Sequence, residues 1–196
     1  MGVVAMSAPF KGHQFLAITG TPGAGKSTLA AAISASLHVP VLSAGDVARA
    51  VDDQSRSTGA MAAEDLFRDE WGKRISASGS GPLILEGIPR KMSQLDLLPP
   101  NTLTIALMCA WEVSEFRLLA RNRIDDGFAR ERYEAQLVQF GAHEVDQLEG
   151  TWILGLVGPD NLIQTDLMTP QEVAQGVMLY LLGLSVSAWP RVTGDA

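Results

Sequence analysis

The hydrophobic positions of the chain fall into short runs rather than into one long apolar segment. Each run is about as long as a β-strand, is nearly continuous in apolar residues, and is separated from the next by segments of helical or loop character. Strands that are apolar on both faces are typical of a parallel sheet covered by helices on both sides. The pattern therefore predicts an α/β fold with strands at Gln14–Thr19, Val39–Ser43, Pro82–Glu86, Thr102–Cys109 and Asn161–Thr165.

Two segments between these runs have helical character. KSTLAAAISASL, which begins at Lys26, is rich in helix formers, and AAEDLFRDEWGKRI is amphipathic and is expected to begin near Ala62 or Ala63. DDQSRSTG, before the second helix, reads as a loop, and SGSGP after it reads as a flexible turn. The chain thus alternates strands and helices throughout, as doubly covered sheets do.

Composition bounds the size and the partners of the protein. The chain has 196 residues, of which 46% are hydrophobic, and a formal charge of −7. This length favours one domain over residues 1–184 with a peripheral tail at 185–196. The acidic balance argues against long nucleic acids as partners, because such binding needs a basic face. The one cysteine, Cys109, lies in an apolar run, so we expect a buried thiol rather than a nucleophile.

The chain carries no segment that predicts a membrane span or a secretory signal. The longest late apolar run, VMLYLLGL, falls far short of the ~18–20 residues that a spanning helix needs. The opening MGVVAMSAPFKG lacks the features of a signal peptide and is expected to be a loose leader. These features favour a soluble, cytoplasmic protein, and we expect a monomer.

The strongest motif runs from Gly20 to Ser27. GTPGAGKS fits G-x-x-x-x-G-K-[ST], the phosphate-binding loop (P-loop, or Walker A motif), and lies between a predicted strand and a predicted helix. Its glycines let backbone N–H groups surround phosphates, its lysine reaches the β- and γ-phosphates, and its serine hydroxyl ligates Mg²⁺. The motif predicts Mg²⁺ as cofactor and ATP as phosphoryl donor, bound by Gly20, Pro22, Gly23, Ala24, Gly25, Lys26, Ser27 and Thr28.

Two further patterns suggest a site for polyphosphates. Glu86 ends an apolar strand, where a carboxylate can lie near the metal at the edge of the sheet. Arginines cluster against the acidic background, which suggests local binding of a small, highly charged anion, although a solvated helix surface would give the same pattern. The clustered residues are Arg117, Arg121, Arg123, Arg130 and Arg132.

Three ordered segments, the first of which is the P-loop, resemble the adenylate-kinase family of nucleoside monophosphate kinases. Ser43–Arg49 (SAGDVAR) is similar to the S-T-G-D-x-x-R segment of that family, and Glu86–Arg90 followed by Gln94 is similar to its D-G-F-P-R-x-x-x-Q segment. The arginine cluster resembles the hinges of the family's lid. The resemblance implies a P-loop three-layer sandwich with a shortened acceptor-binding insert at about 46–81 and a minimal lid at about 121–132.

The resemblance also implies a role for each matching residue. Arg49 and Arg90 would grip the monophosphate, Arg117 would lie by the ATP base or phosphates, and Gln94 would read the acceptor base. Asp46 and Glu86 would hold Mg²⁺ together with Ser27. The implied catalytic residues are Lys26, Arg90, Arg121, Arg123 and Arg132, and the implied acceptor pocket contains Ala44, Gly45, Arg49, Met61, Gly87, Arg90 and Gln94.

Departures from the family pattern keep the acceptor open. Ala44 stands where the family has Thr, as in the similar UMP-CMP kinases, whereas Gln94 favours adenine, so AMP is preferred and CMP or another pyrimidine nucleotide comes next. Glu86 replaces the usual Asp. The alternatives are a P-loop kinase of another small acceptor, such as a nucleoside or modified nucleotide, and an ATPase that acts as an assembly factor.

Overall fold

A parallel sheet of five strands forms the centre of the protein, in the spatial order β2-β3-β1-β4-β5. The computed structural model describes residues 9–51, 64–121, 130, 133–134, 157 and 161–184. All five strands predicted from the apolar runs are confirmed, with ends that differ by one or two residues. The strands are β1 (Phe15–Gly20), β2 (Val41–Ser43), β3 (Leu83–Glu86), β4 (Thr102–Met108) and β5 (Leu162–Gln164).

Five helices accompany the strands in the described part of the chain. Both predicted helices are present, and a 3₁₀ turn at Met92–Leu97 follows β3. The second helix, directly after β2, is not anticipated by the apolar pattern because it is short and its apolar residues are mostly small alanines. The helices are α1 (Lys26–Leu37), α2 (Ala44–Val51), α3 (Glu64–Ala77), α4 (Trp111–Arg121) and α5 (Pro170–Leu181).

The sheet is covered on both faces, as the continuous apolar strands predict. Successive residues of a strand point to opposite faces. On β1, Leu16 and Ile18 pack into one buried cluster with Leu29 of α1 and Val177 of α5. Ala17, between them in sequence, packs into a second cluster with residues of α2 and α3, which includes the fully buried Trp71. Burial of about 25 cal/mol per Å² of apolar surface makes these two clusters the main stabilising term.

The expectation of a loose leader is wrong for the part of it that the structure describes. Phe10 is fully buried in the cluster between the sheet, α1 and α5, and it forms a β-bridge with His13. The Lys11 N–H donates to the Leu181 carbonyl at the end of α5. A single aromatic residue among small and polar neighbours gives no periodic signal, so the sequence did not reveal this anchor. Residues 1–8 lie outside the described residues.

Parts of several predicted segments fall outside the described chain. The predicted loop at 52–59, most of the predicted lid and the predicted tail at 185–196 belong to these parts. Cys109 is buried, as expected, and burial raises the pKa of its thiol. None of the described helices is long and apolar enough to cross a membrane.

Candidate active site

The P-loop follows β1 and depends on glycine at two positions. Gly20 has φ +132° and lies against β4, so that a β-carbon there would fall 1.7 Å from the Leu107 carbonyl oxygen. Gly23 has φ +74° and lies against α4, where a β-carbon would fall 2.7 Å from Oγ of Ser114. Both positions need a positive φ and close backbone packing, which glycine alone combines without strain. The loop therefore has one backbone path, fixed by its neighbours.

The start of α1 is suited to an anion. Gly25, at the N-cap, has φ +95°, and no described side chain caps the helix. A β-carbon on Gly25 would meet no atom within 4 Å. The first N–H groups of a helix have no partner within the helix, and the helix dipole favours negative charge at this end. Phosphates are the anions that such a loop and helix start bind in P-loop proteins.

Lys26 is held along the loop by two backbone carbonyls. Its Nζ donates to the Gly20 oxygen at 2.9 Å and to the Thr21 oxygen at 2.6 Å. The pKa of Lys26 is lowered to about 8, chiefly by burial and also by the charges of Arg90 and Arg121, against the opposing charge of Glu86. An ammonium has three donors, so one remains for a ligand. The pKa also indicates that Glu86, Arg90 and Arg121 lie near this ammonium.

Glu86 joins the P-loop to the neighbouring strand. It ends β3, which lies between β1 and β2, and its carboxylate is mostly buried, with 8% of the residue exposed. The Ser27 hydroxyl donates to Oε1 at 3.0 Å, and the Ser43 hydroxyl donates to Oε2 at 2.8 Å. Because β2 and β3 are in register at Ser43 and Glu86, the sheet itself brings these two side chains together.

The residues around Glu86 fit a magnesium ion. Mg²⁺ prefers oxygen ligands, and in phosphoryl-transfer sites it is usually held by one or two carboxylates, phosphates and waters. Ser27 and Glu86 supply a hydroxyl and a carboxylate within 3.0 Å of each other, next to the phosphate-binding loop. Ser27 is exposed, so its oxygen is accessible from solvent. These two residues would hold the ion on the donor side.

Asp46, the other expected metal ligand, lies on the first turn of α2. Its Oδ1 accepts a hydrogen bond from Nη2 of Arg49 at 2.6 Å, and its side chain is 66% exposed. Its backbone N–H donates to the Ser43 hydroxyl at 3.4 Å. Among the contacts of the described chain, Ser43 is thus the link between Asp46 and Glu86. A role of Asp46 in holding Mg²⁺ stays a prediction.

Ser43 is a functional residue to which the sequence analysis assigns no role. It caps the N-terminus of α2 and at the same time donates to Glu86. A serine directly after a strand and before a short helix is a capping signal, and that signal could have located α2. Its contact with Glu86 could not be read from the sequence, since it depends on the pairing of β2 with β3.

Arg49 and Arg90 lie close to small residues at the start of α2. A β-carbon on Gly45 would lie 3.4 Å from the Arg49 guanidinium, and one on Gly87 would lie 3.3 Å from Nη2 of Arg90 and 3.6 Å from Cβ of Ala44. The Nε of Arg90 donates to the Gly87 carbonyl at 2.9 Å. The structure thus brings the two predicted acceptor arginines to the same corner of the sheet, along with Ala44, Gly45 and Gly87.

Gln94 has a fixed amide orientation. Its side chain is almost fully buried, with 3% exposed, and its Oε1 accepts a hydrogen bond from the Arg90 backbone N–H at 2.8 Å. A backbone N–H can only donate, so the oxygen of the amide must face it. No hydrogen bond joins the amide nitrogen to another described residue. The N–H donors and the second lone pair of the carbonyl are the groups left for a ligand.

Arg117 and Thr165 support the P-loop from the side of β5. Arg117 donates to the Thr165 hydroxyl at 3.0 Å, to the Thr165 carbonyl at 2.8 Å and to the Gly23 carbonyl at 3.4 Å. Thr165 lies within 3.2 Å of the Ala24 carbonyl. On α4, the Ser114 hydroxyl donates to the Pro22 carbonyl at 2.6 Å. No role could be predicted for Ser114 or Thr165, because each is one polar residue in a pattern that indicates only a helix or a strand.

Comparison with known proteins places the chain in a family. Residues 19–139 match a family model described as an AAA domain. An adenylate kinase of Corynebacterium urealyticum is 31% identical in an alignment 144 residues long that covers 62% of this chain and 78% of that protein. The family match begins at Thr19, near the end of β1. The chain belongs to the adenylate-kinase-like family of P-loop kinases.

Solved structures show the same fold in kinases with other acceptors. A sugar kinase from Janibacter has a TM-score of 0.60 and 17% identity, with 88% of this chain and 96% of that one covered. A gluconokinase from Sinorhizobium meliloti has a TM-score of 0.57 and 16% identity, with 89% and 93% covered. At this identity the likeness shows the fold alone. The adenylate-kinase-like chain thus has a fold that serves several small acceptors.

Some predicted site residues of this adenylate-kinase-like kinase are only partly located. Arg121 is the last described residue of α4, is exposed, and is near enough for its charge to lower the pKa of Lys26. Thr28 lies exposed on the first turn of α1. Met61, Arg123 and Arg132 lie outside the described residues.

Proposed function

We propose that this kinase transfers the γ-phosphoryl group of Mg-ATP to a nucleoside monophosphate, with AMP favoured and CMP next. The observation that carries the proposal is the arrangement around Glu86. The P-loop follows β1, helix α2 with Arg49 follows β2, and Glu86 ends the strand between them. Arg90 lies at the same corner, beside Ala44. Donor and acceptor phosphates would therefore meet over one carboxylate, with cationic groups on both sides.

The chemistry needs positive charge more than covalent catalysis. The triphosphate of the donor and the monophosphate of the acceptor repel each other, and phosphoryl transfer depends mainly on positioning and on electrostatic stabilisation of the transferring group. Lys26 and the N–H groups of the P-loop would bind the donor phosphates, and Arg49 and Arg90 would bind the acceptor phosphate. Ser27 and Glu86 would hold Mg²⁺, which when bound neutralises charge on the donor phosphates.

A phosphate acceptor also explains why two guanidiniums are needed. Guanidinium groups bind phosphate oxygens through paired N–H donors, which fixes the direction of the acceptor as well as its charge. A monophosphate is ionised at neutral pH and can attack without a general base. A neutral hydroxyl acceptor would gain little from two arginines and would need a group to accept its proton.

The fixed amide of Gln94 supports the choice of base. Adenine and cytosine present an exocyclic amino group beside a ring nitrogen that accepts, which suits an amide with its N–H groups and a carbonyl lone pair available. Uracil and guanine present the reverse pattern. An amide that can rotate would accept both, but the contact with the Arg90 N–H holds Gln94 in one orientation. We therefore favour AMP and CMP over UMP and GMP.

The alternative is a small acceptor that reacts through a hydroxyl group. The observation that favours it is the carboxylate of Asp46, exposed at the start of α2 on the acceptor side. In kinases with hydroxyl acceptors, a carboxylate can take the proton of the attacking group. The gluconokinase and sugar kinase that share this fold carry names of that class.

One acceptor panel separates these functions. Wild-type protein and Asp46→Asn are incubated with Mg-ATP and each ribo- or deoxynucleoside monophosphate, gluconate or shikimate, and ADP release is measured. We expect turnover to depend on AMP or CMP and Asp46→Asn to retain at least about a tenth of wild-type kcat. Turnover on a hydroxy acid that Asp46→Asn lowers about 10²–10⁴-fold would favour the alternative. ADP release without any acceptor would favour an ATPase.

A further inference from the structure

Helix α3 is attached to the 3₁₀ turn at Met92–Leu97 through one arginine. Nη1 of Arg68 lies 3.0 and 2.9 Å from the two carboxylate oxygens of Asp96, and Nη2 of the same guanidinium donates to the Ser93 carbonyl. The pair raises the pKa of Arg68 and lowers the pKa of Asp96. Contacts that engage both nitrogens of a guanidinium fix its direction as well as its distance. Arg68 therefore holds the turn at two points.

Two further contacts join the same elements. Glu64, at the start of α3, forms an ion pair with Lys91, which directly precedes the turn. The indole N–H of Trp71 donates to the Leu97 carbonyl at 3.2 Å, at the far end of the turn. The turn is thus held at its beginning, middle and end by one face of α3. We call this set of contacts the α3 latch.

The latched turn carries the acceptor groups. Gln94 lies inside the turn, between Ser93 and Asp96, and its amide oxygen accepts the Arg90 N–H. A shift of the turn would therefore move the Gln94 amide and release the backbone of Arg90 together. These are the two residues that the proposed function places against the base and the phosphate of the acceptor.

We propose that Arg68 is a positioning residue for the acceptor site, which sets the place of Gln94 and Arg90 through Asp96 and Ser93. The proposal rests on the proposed function, and it adds a residue outside the acceptor pocket to the determinants of acceptor affinity. Arg68 touches neither the P-loop nor Glu86 in the described contacts, so its effect is confined to the acceptor.

The Arg68–Asp96 contact of the latch is separate from the packing that holds α3 in the fold. Phe67 and Trp71 anchor the helix in the buried cluster with Ala17 and Leu85. Asp96, in contrast, is 70% exposed, and Arg68 is 27% exposed. Exposed ion pairs contribute little to global stability, whereas a guanidinium with several partners restricts local geometry. Loss of the latch is thus expected to change acceptor affinity more than the melting temperature.

The same helix offers a matched control. Arg74 lies six positions beyond Arg68 on α3 and pairs with Glu70 at 2.8 Å, within the helix. Its contact does not reach the turn. Substitution of Arg74 removes one charge and one ion pair from α3 but leaves the latch to the turn in place. Substitution of Arg68 also removes one charge, and with it the contacts to the turn and an ion pair with Glu64 within the helix.

The test is a double-mutant cycle on acceptor affinity. The KM for AMP and the KM for ATP are measured for wild type, Arg68→Ala, Asp96→Ala, the double variant and Arg74→Ala, together with the melting temperature. We expect both single variants to raise the AMP KM about five- to twentyfold, with the larger effect in Arg68→Ala because it also loses the contact with the Ser93 carbonyl. The double variant should be no worse than Arg68→Ala, since the contact with Asp96 is already lost in that variant. The ATP KM and the Arg74→Ala values should change less than about twofold.

The outcomes separate this inference from the proposed function. If the wild type turns over AMP or CMP but Arg68→Ala and Asp96→Ala leave the acceptor KM unchanged, the latch is overturned and the proposed function stays intact. The same holds if the effects of the two single variants on the KM add up in the double variant. An equal rise of the AMP KM in Arg74→Ala would reduce Arg68 to a structural role and overturn the inference. Absence of turnover with every monophosphate would overturn the proposed function and, with it, the site that the latch serves.

Discussion

The donor side and the acceptor side of this kinase are built in different ways. On the donor side, the P-loop is held through its backbone: Gly20 lies against β4, the Ser114 hydroxyl donates to the Pro22 carbonyl, and the Thr165 hydroxyl contacts the Ala24 carbonyl. On the acceptor side, the groups that would meet the ligand are mostly long charged side chains on short elements, such as Arg49 on α2 and Arg90 before the 3₁₀ turn.

This difference indicates that the acceptor side, rather than the P-loop, determines which substrate is bound. A loop formed by packed backbone reads phosphate, which is common to all nucleotides, and tolerates little change. A corner formed by side chains can change its ligand by substitution while the sheet stays the same. The shared fold of kinases with sugar and hydroxy-acid names agrees with this division.

The largest expected effect is the loss of kcat on substitution of Lys26 on the donor side. Lys26→Ala removes the ammonium that lies between the loop carbonyls and the transferring group, and we expect kcat to fall at least about 10²–10³-fold, as for other electrostatic donors to a transition state. The exposed Lys73 of α3 is the matched control, and Lys73→Ala should leave kcat unchanged. Circular dichroism checks the fold. More than about a tenth of wild-type kcat in Lys26→Ala would remove the P-loop from the mechanism.

The pH dependence of ligand binding tests the role of Lys26 on the donor side further. The pKa of Lys26 is lowered to about 8, chiefly by burial, so the free protein loses this charge as the pH rises through about 8. Bound phosphate favours the ammonium, and binding above pH 8 must therefore take up a proton. The Kd of a non-hydrolysable ATP analogue should rise with pH above 8, by up to about tenfold per unit. Calorimetry in buffers of different ionisation enthalpy measures the proton uptake; a flat Kd from pH 7 to 9.5 would contradict the assignment.

The same pKa has a consequence for stability. The folded pKa of Lys26 lies below the unfolded value of 10.5, so the unfolded chain binds more protons between about pH 8 and 10.5. The contribution of Lys26 to the free energy of unfolding therefore rises with pH across this window. Ligand affinity and this term of the stability thus move in opposite directions as the pH increases.

The smallest expected effect concerns base choice on the acceptor side. Gln94→Ala removes one neutral hydrogen-bonding group, so we expect the preference for AMP over UMP in kcat/KM to fall only about three- to tenfold. Gln171→Ala, on the exposed face of α5, is the control. A preference that persists in Gln94→Ala, or a wild-type preference for UMP or GMP, would show that another group reads the base.

The sequence predicted the parts of the molecule that follow from local pattern. The strand runs and the P-loop spacing depend on neighbours in sequence, and for that reason the loop from Gly20 to Lys26 was placed correctly between a strand and a helix. Contacts that depend on strand order could not be predicted. The link from Ser43 to Glu86 needs β2 beside β3, and the burial of Phe10 needs α5 beside the N-terminal segment.

The acceptor side illustrates the same limit. The resemblance placed Arg90 and Gln94 in one motif, but the motif alone does not show the hydrogen bond between them. The latch joins Arg68 to residues 25 and 28 positions away, and no sequence pattern links these segments. In the sequence alone, Arg68 is one charge on the polar face of an amphipathic helix. Long-range ion pairs of this kind become visible only when the packing of α3 against the turn is known.

The central claim, that separate groups bind the donor and the acceptor phosphate, is tested most directly by Arg90→Ala. Steady-state rates over a matrix of ATP and AMP concentrations give both KM values for the wild type and the variant. In Arg90→Ala we expect the AMP KM to rise at least about tenfold, because a charge-assisted contact to the acceptor phosphate is lost. The ATP KM should change less than about twofold. Equal weakening of both substrates, or an AMP KM that does not change, would contradict the claim.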